Sequence, residues 1–183
     1  MQRSYCNKGN THLDLSEYLI EKEDEDDFLH HIRLALDNFN LSLEQAESLI
    51  VNIDKMSCKQ GDRPQLLANF KKLCNEALYN VGNTYFVWGK FDNKYFDNSL
   101  EFLKKAASYA KDLSNPILEG KCYSSIGLIF FNKKEYDQAE AYFKKDVKIC
   151  EENRDYHGLI LTLKNMARVY HARRDYQTSK EYF

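Results

Sequence analysis

Apolar and polar positions recur in the same order in three stretches of the chain. They are "LYNVGNTYFVWGKFD" (residues 78–92), "YSSIGLIFFNKKEYD" (123–137) and "LKNMARVYHARRDYQ" (163–177). Each has a large residue, an aliphatic residue three positions later, a small residue next, an aromatic residue three positions on and another aromatic six after that. Because the first four of these positions fall on one face of a helix, the pattern predicts three similar helices.

A second apolar pattern follows each of these helices. Small residues are followed four positions later by bulky ones, in the pairs Ser99 and Leu103, Ala139 and Phe143, and Ser179 and Phe183. Residues four apart share a helix face, so each unit is predicted to hold two helices. A single pair cannot cover its apolar face, so the units are predicted to stack as an α-solenoid.

These positions resemble the tetratricopeptide repeat (TPR) pattern across residues 64–183. The resemblance implies an all-α, right-handed α-solenoid of antiparallel helix pairs. The spacing is 45 residues from Gly82 to Gly127 and 40 from Gly127 to Ala167, longer than the usual 34, so repeats of about 40 residues or more are expected. The structural repeat positions are Gly82, Tyr85, Ala106, Gly127, Phe130, Tyr136, Ala139, Phe143, Ala167, Tyr170 and Tyr176.

Two features depart from the pattern. Residues 93–97 are predicted to lengthen the turn between the helices of their unit. Asp146 stands where the preceding unit has Ala106, and we interpret it as an end-of-helix or partner-facing carboxylate.

A degenerate unit is predicted at residues 1–63, with Gly9 at the small position and His12 as a packing residue. The acidic run at residues 21–27 is predicted to be its solvated loop. Its long second helix ends before Asp62, a predicted N-cap, with Pro64 at the first position of the next helix. The remaining units are residues 64–114, 115–154 and 155–183, the last truncated within a second helix.

The linear order carries a closer resemblance, to the N-terminal TPR array of Tonsoku-like proteins. It rests on "GNTHLD", "DNFNLSLEQAESLI", "NEALYNVGNTYF" and the unusual unit lengths. This implies part of a nuclear scaffold in replication-fork and recombination repair that binds chromatin, with histone, chaperone and repair-complex partners. The alternative is a cytoplasmic TPR adaptor of the polarity or ciliary docking type. In both cases we expect an intracellular protein.

Composition fits a helical, intracellular chain. Two Pro and seven Gly among 183 residues favour long helices. The five cysteines have no Cys-x-x-Cys pair, so reduced thiols are expected rather than disulfides or zinc. The longest apolar run, at residues 127–131, is too short to cross a membrane. The net charge is −2. Nucleic-acid binding usually needs a strongly basic surface, so direct nucleic-acid binding is not expected.

Candidate chemistry is sparse. Residues 82–90 have six residues where a phosphate-binding loop needs four. His30 and His31 are adjacent, which does not match zinc spacing on a helix, and Asp14 with Glu17 lacks a nucleophile or third group. We therefore expect no enzyme, no cofactor and no metal site. Trp88 is interpreted as packing, with a binding anchor as the alternative.

The resemblance places the first helices of the units along a partner-binding groove. Its cationic end, with apolar anchorage from Tyr79 and Phe86, is expected to bind an acidic or C-terminal peptide segment. Ordinary solvated charges on a helix face are the alternative. The predicted groove residues are Tyr79, Asn83, Phe86, Lys121, Ser124, Leu128, Asn132, Lys164, Arg168 and His171.

Overall fold

A computed structural model describes residues 2–22, 25–56 and 60–182. In these ranges eight α-helices follow one another, and the structure contains no strand. They are α1 (Gln2–Lys22), α2 (Glu25–Val51), α3 (Arg63–Phe91), α4 (Tyr95–Asp112), α5 (Pro116–Asn132), α6 (Tyr136–Asn153), α7 (Tyr156–Ala172) and α8 (Tyr176–Glu181), with short 3-10 helices at Ile53–Lys55 and Gln60–Asp62. The predicted all-α fold is confirmed.

The chain forms two compact units, Met1–Phe102 and Leu103–Phe183, whose boundary lies within α4. In the first unit α1 packs on α2, α2 packs on α3, and α1 also contacts α3. In the second unit α5 packs on α6, α6 on α7 and α7 on α8, and α5 also contacts α7. In each unit, successive helices therefore pack together and alternate helices also meet. The boundaries of the four predicted repeats stay a prediction.

Small residues allow this close packing, as the sequence pattern predicts. A Cβ atom on Gly9 would lie 2.6 Å from the Phe39 ring, and one on Gly127 would lie 2.6 Å from the Phe143 ring. Both phenylalanine side chains are fully buried. Each glycine therefore leaves the space that an aromatic ring of the next helix fills.

The four turns from α4 to α8 share one backbone feature. Each contains a residue with positive φ, and successive ones are twenty positions apart: Ser114 (51°), Lys134 (62°), Arg154 (56°) and Arg174 (64°). The following residue begins the next helix at its N-cap, and Asn115, Asp155 and Asp175 accept there from backbone N–H groups three residues on. Such caps satisfy amides that have no partner within the helix.

The turn at residues 93–97 differs from its prediction. α3 ends at Phe91 and α4 begins at Tyr95, so the connection is as short as the one between α5 and α6. The extra residues extend the helices instead. Aromatic stacking stabilises this end of the pair, because the rings of Trp88 and Tyr95 lie 3.8 Å apart. Trp88 is thus a packing residue of the first unit.

The first predicted loop also differs from its prediction. Of residues 21–27, the first two end α1, and Glu25, Asp26 and Asp27 form the exposed first turn of α2; residues 23 and 24 lie outside the described ranges. Acidic side chains stabilise a helix N-terminus through its dipole, so the run extends a helix where charge repulsion alone predicts a loop. Asp62 does precede α3, but its side chain makes no capping hydrogen bond, and Pro64 is the second residue of that helix.

Candidate functional site

The exposed face of α5 in the second unit presents most of the groove residues predicted there. Lys121 and Asn132 are exposed, whereas Ser124 and Leu128 are half-buried. Their spacing of three or four residues keeps all of them on one side of the helix. The Asn132 amide donates to the Leu128 carbonyl at 2.7 Å, which fixes its position at the end of this face.

α7 contributes the cationic part of the same unit. Lys164, Arg168 and His171 are all exposed on successive turns. The Arg168 guanidinium lies 4.8 Å from the centre of the Phe131 ring of α5, a cation–π distance that joins the two helices. Since α5 and α7 contact each other, their positive charges belong to one surface, which we call the α5/α7 face and define as Lys121, Ser124, Leu128, Asn132, Lys164, Arg168 and His171.

A pocket of about 210 Å³ adjoins this face. Its walls include the hydrocarbon side chains of Ile117, Ile149 and Leu161, and Lys121 and His157 also line it. Ile117 and Leu161 are 45% and 48% exposed, so part of each apolar side chain is accessible to a partner. The sequence pattern did not identify this pocket, although the bulky apolar residues at helix surface positions were visible in it.

Asp146 lines the same pocket and is only 3% exposed. This corrects its interpretation as an end-of-helix carboxylate, because α6 continues to Asn153 and the side chain points inward against α5 and α7. Its interpretation as a partner-facing carboxylate stays a prediction, since Asp146 also lines the pocket. Thr162 Oγ1 donates to Asp146 Oδ2, Cys150 Sγ lies 3.5 Å from Oδ1, and the Ser124 hydroxyl also donates to the carboxylate. Burial raises the pKa of Asp146, and the hydrogen bonds only partly oppose this effect.

Glycine makes the room for this carboxylate. A Cβ atom on Gly120 would lie 2.5 Å from Asp146 Oδ1, and one on Gly158 would lie 3.0 Å from Cys150 Sγ. Both glycines line the pocket. Side chains at either position would therefore press on the groups at its floor.

In the first unit the predicted groove residues are less available. Tyr79 and Asn83 are half-buried on α3. Phe86 is buried at 6% exposure, with Phe96 at 6.2 Å and the Lys90 ammonium 4.9 Å from its ring. Phe86 is thus covered by its own chain, which removes it as an apolar anchor. Aromatic residues at helical spacing occur in cores and in grooves alike, so the pattern did not separate the two.

A separate concave surface of the first unit lies between α1 and α3 and was missed. Asparagine side chains dominate it, and their presence in "CNKGN" and "LANF" was the available signal. It is lined by Cys6, Asn7, Asn10, Asn69, Lys72, Leu73, Glu76 and Asn80.

The histidines and Glu17, which were considered for metal binding and catalysis, make contacts within the protein. His12 and His31 stack, with their Nδ1 atoms 3.0 Å apart, and burial, followed by the nearby histidines, lowers the pKa of His12. Glu17 pairs with Lys90 at 3.2 Å. Within the described ranges no three His, Cys, Asp or Glu side chains are grouped to hold a metal ion.

Cys6, Cys74, Cys122 and Cys150 are free thiols, and Cys58 lies outside the described residues. Burial raises the pKa of Cys122 and Cys150 to about 12, which keeps both thiols protonated and unreactive. In the part of the chain that the structure describes, no helix has the length and apolar character needed to cross a membrane.

Comparisons with known proteins agree with this architecture. Residues 120–183 match the tetratricopeptide repeat family. BtubC (BKLC) from P. vanneervenii is similar in structure, with a TM-score of 0.55 and 12% identity over 100% of this chain and 72% of that one. Aspartyl phosphate phosphatase F from Bacillus subtilis has a TM-score of 0.51 and 17% identity, over 97% of this chain and 47% of that one. A comparison with curated protein sequences gives no match.

At these identities the structural likenesses show the fold alone. Together with the family match over residues 120–183 they support a tetratricopeptide-type helical-repeat fold.

Proposed function

We propose that the chain is a non-catalytic scaffold that binds an acidic peptide segment along the α5/α7 face. The observation that carries this proposal is the exposure of Lys121, Lys164 and Arg168 on two helices that contact each other. Lysine and arginine bind carboxylates through charge-assisted hydrogen bonds, which are stronger than neutral ones. Leu128 and the exposed Leu161 supply apolar contact beside these charges.

A binding assay with an acidic probe tests this. The probe is a fluorescein-labelled, glutamate-rich peptide of eight residues, and its anisotropy reports binding to the purified chain. In the double variant Lys164→Glu with Arg168→Glu we expect affinity to fall by at least about tenfold, because two attractive charges become repulsive.

The matched control reverses two exposed lysines on second helices, Lys104→Glu with Lys148→Glu. It changes the net charge equally but leaves the α5/α7 face intact, so we expect most of the affinity to remain. Equal losses in both double variants would mean that net charge, and no particular face, governs binding. Circular dichroism confirms that each variant keeps its helices.

We propose further that the chain is the TPR part of a Tonsoku-like factor, acting in the nucleus at damaged replication forks with histone, chaperone and repair-complex partners. The support is the sequence resemblance around Gly9, His12 and Phe39; the Phe39 ring packs against Gly9, and His12 stacks on His31. The exposed acids at the start of α2 offer a contact for a basic partner such as a histone.

The alternative is a cytoplasmic adaptor, and the location of the protein in the cell distinguishes the two proposals. A fluorescent tag on the intact gene product, followed before and after replication arrest, should accumulate in nuclear foci after arrest. A tagged protein that stays in the cytoplasm in both conditions would favour the polarity or ciliary adaptor. Proximity labelling in the same cells would identify the partners.

A further inference from the structure

The pocket beside the α5/α7 face combines hydrocarbon walls with one buried carboxylate. Ile117, Ile149 and Leu161 form the walls, and Asp146 lines the same space. The side chains that donate to Asp146, namely Thr162, Cys150 and Ser124, are all neutral. The carboxylate has therefore lost most of its hydration and receives only neutral donors in return. Such a group interacts strongly with a cation that reaches it, because little water competes.

The composition of the pocket narrows the class of ligand. A divalent metal would need several carboxylate or carbonyl ligands. The pocket is lined by two carboxylates, and that of Asp155 already accepts from the Gly158 amide as the N-cap of α7; among the described residues no three His, Cys, Asp or Glu side chains are grouped to hold a metal ion. A long aliphatic stem that ends in a single positive charge matches both the walls and the floor. Lysine has this form, with four methylene groups and three ammonium donors.

The hydrogen bonds at Asp146 favour an ammonium over a guanidinium. Arginine binds a carboxylate best through two parallel bonds, one to each oxygen. Here Oδ2 accepts from Thr162, Oδ1 receives the weak thiol donor of Cys150 at 3.5 Å, and the Ser124 hydroxyl also donates to the carboxylate. With both oxygens already in hydrogen bonds, two new parallel bonds are harder to place than the single contact of an ammonium.

We propose that this pocket binds a lysine side chain of the partner segment, with its ammonium on Asp146 and its stem against Ile117, Ile149 and Leu161. This inference rests on the proposed function, since it assigns an anchor to the peptide that lies along the α5/α7 face. The rim of the pocket is cationic at Lys121, whereas its floor is anionic. The face therefore selects a lysine that has acidic residues beside it.

A small ligand tests the pocket without the rest of the groove. The probe is Nα-acetyl-lysine N-methylamide, titrated into the ¹⁵N-labelled chain while the amide signals of Gly120, Gly158 and Thr162 are followed by NMR. We expect saturable shifts at these amides that disappear in Asp146→Asn. The control ligand, Nα-acetyl-norleucine N-methylamide, has the same stem without the charge and should shift them far less. Equal shifts with both ligands, or no shifts in the wild-type chain, would overturn the proposal.

Peptide variants then test whether the pocket contributes to peptide binding on the α5/α7 face. The glutamate-rich peptide is made with lysine, arginine or norleucine at its centre. We expect the lysine peptide to bind at least about tenfold more tightly than the norleucine peptide, as one charged hydrogen bond provides, and Asp146→Asn to reduce it to the norleucine level. Tighter binding of the arginine peptide would contradict the choice of lysine.

The outcomes separate this inference from the proposed function. If the lysine and norleucine peptides bind equally well and both depend on Lys164 and Arg168, the scaffold proposal stands and the lysine pocket is wrong. If the lysine amide shifts the pocket signals but no peptide binds, the pocket stands and the acidic-peptide function is wrong. A thermal stability of Asp146→Asn that equals or exceeds that of the wild-type chain excludes loss of the fold as the cause of lost binding.

Discussion

Ser99 on α4 donates its hydroxyl to the main-chain carbonyl oxygen of Gly82 on α3 at 2.7 Å. Ser179 on α8 makes the same bond to the carbonyl of Ala167 on α7 at 2.9 Å. Both serines are buried at the small position of a second helix, and both acceptors are the small residue of the first. The repeat seen in the sequence is thus also a repeat of one hydrogen bond.

Removing this bond should have a modest cost. We expect Ser99→Ala to lower the free energy of unfolding by about 1 kcal/mol, the usual net value of a buried neutral hydrogen bond. Urea denaturation followed by circular dichroism measures it. The control is Ser108→Ala on an exposed position of α4, where we expect a change within about 0.5 kcal/mol. Equal effects at both positions would mean that the bond to Gly82 contributes nothing.

Asp146 should make stability depend on pH in an unusual direction. Its pKa is raised by burial, so its protonated form favours folding below the ordinary value of 3.8 and this contribution is lost as the pH rises through the folded pKa. The free energy of unfolding of Asp146→Asn minus that of the wild-type chain should therefore be larger at pH 7 than at pH 4. Urea denaturation at both values measures the difference.

The comparison for Asp146 is Asp112→Asn, at an exposed position of α4. We expect its difference from the wild-type chain to be nearly the same at pH 4 and pH 7. If Asp146→Asn behaved in this way too, the carboxylate would not be desolvated in solution.

Glu140 should act in the opposite direction. Burial raises its pKa, but hydrogen bonds from Lys144, Tyr170 and Arg173 outweigh that effect and lower it to about 2. Its contribution to stability is complete above the ordinary value of 4.5 and is lost as the pH falls towards about 2. Because solvent screens part of this cluster, we expect Glu140→Gln to cost about 1 kcal/mol at pH 7 and to reduce the loss of stability in acid.

Glu152→Gln supplies the control for Glu140. Glu152 is exposed and lies 3.8 Å from Lys148 in an i, i+4 pair, which contributes no more than about 0.5 kcal/mol. Denaturation curves at pH 7 and pH 3 compare the two variants. An acid transition that is identical in the wild-type chain and in Glu140→Gln would show that this carboxylate does not drive it.

The left-handed backbone at Arg154 should favour glycine. A side chain at φ 56° is strained by its Cβ atom, by roughly 1 kcal/mol, and glycine removes the strain. We expect Arg154→Gly to be more stable than Arg154→Ala by about 0.5–1 kcal/mol. Both variants lack the arginine side chain, so the thermal denaturation difference isolates the backbone effect. A more stable alanine variant would contradict the left-handed conformation.

The sequence was sufficient for the parts of the fold that depend on periodic packing. Gly127 and Phe143 occupy matched positions in the repeat pattern, and they meet in the structure because a helix pair brings such positions together. The same holds for Ser99 and Gly82. Periodicity identifies the face of a helix that packs on its neighbour, and this information is enough to predict these contacts.

Helix ends and the burial of individual side chains depend on energies that the apolar periodicity does not describe. The start of α2 follows helix-dipole energy, and the stacking of Trp88 on Tyr95 accompanies the start of α4, so the loops predicted there were too long. Phe86 and the α5/α7 face share a helical spacing, yet only three-dimensional packing decides which side chains are covered. Asp146 was conspicuous as a carboxylate at an alanine position, but its burial depends on hydroxyls and glycines far along the chain.

The left-handed residues at positions 114, 134, 154 and 174 divide this part of the chain into modules of equal length. Any two of these turns that are 40 residues apart begin helices of the same kind in the same phase. A cut at one and a join at the next but one would keep every remaining helix in register. We therefore expect residues 115–154 to behave as a cassette that can be duplicated or removed while each remaining helix keeps its own sequence.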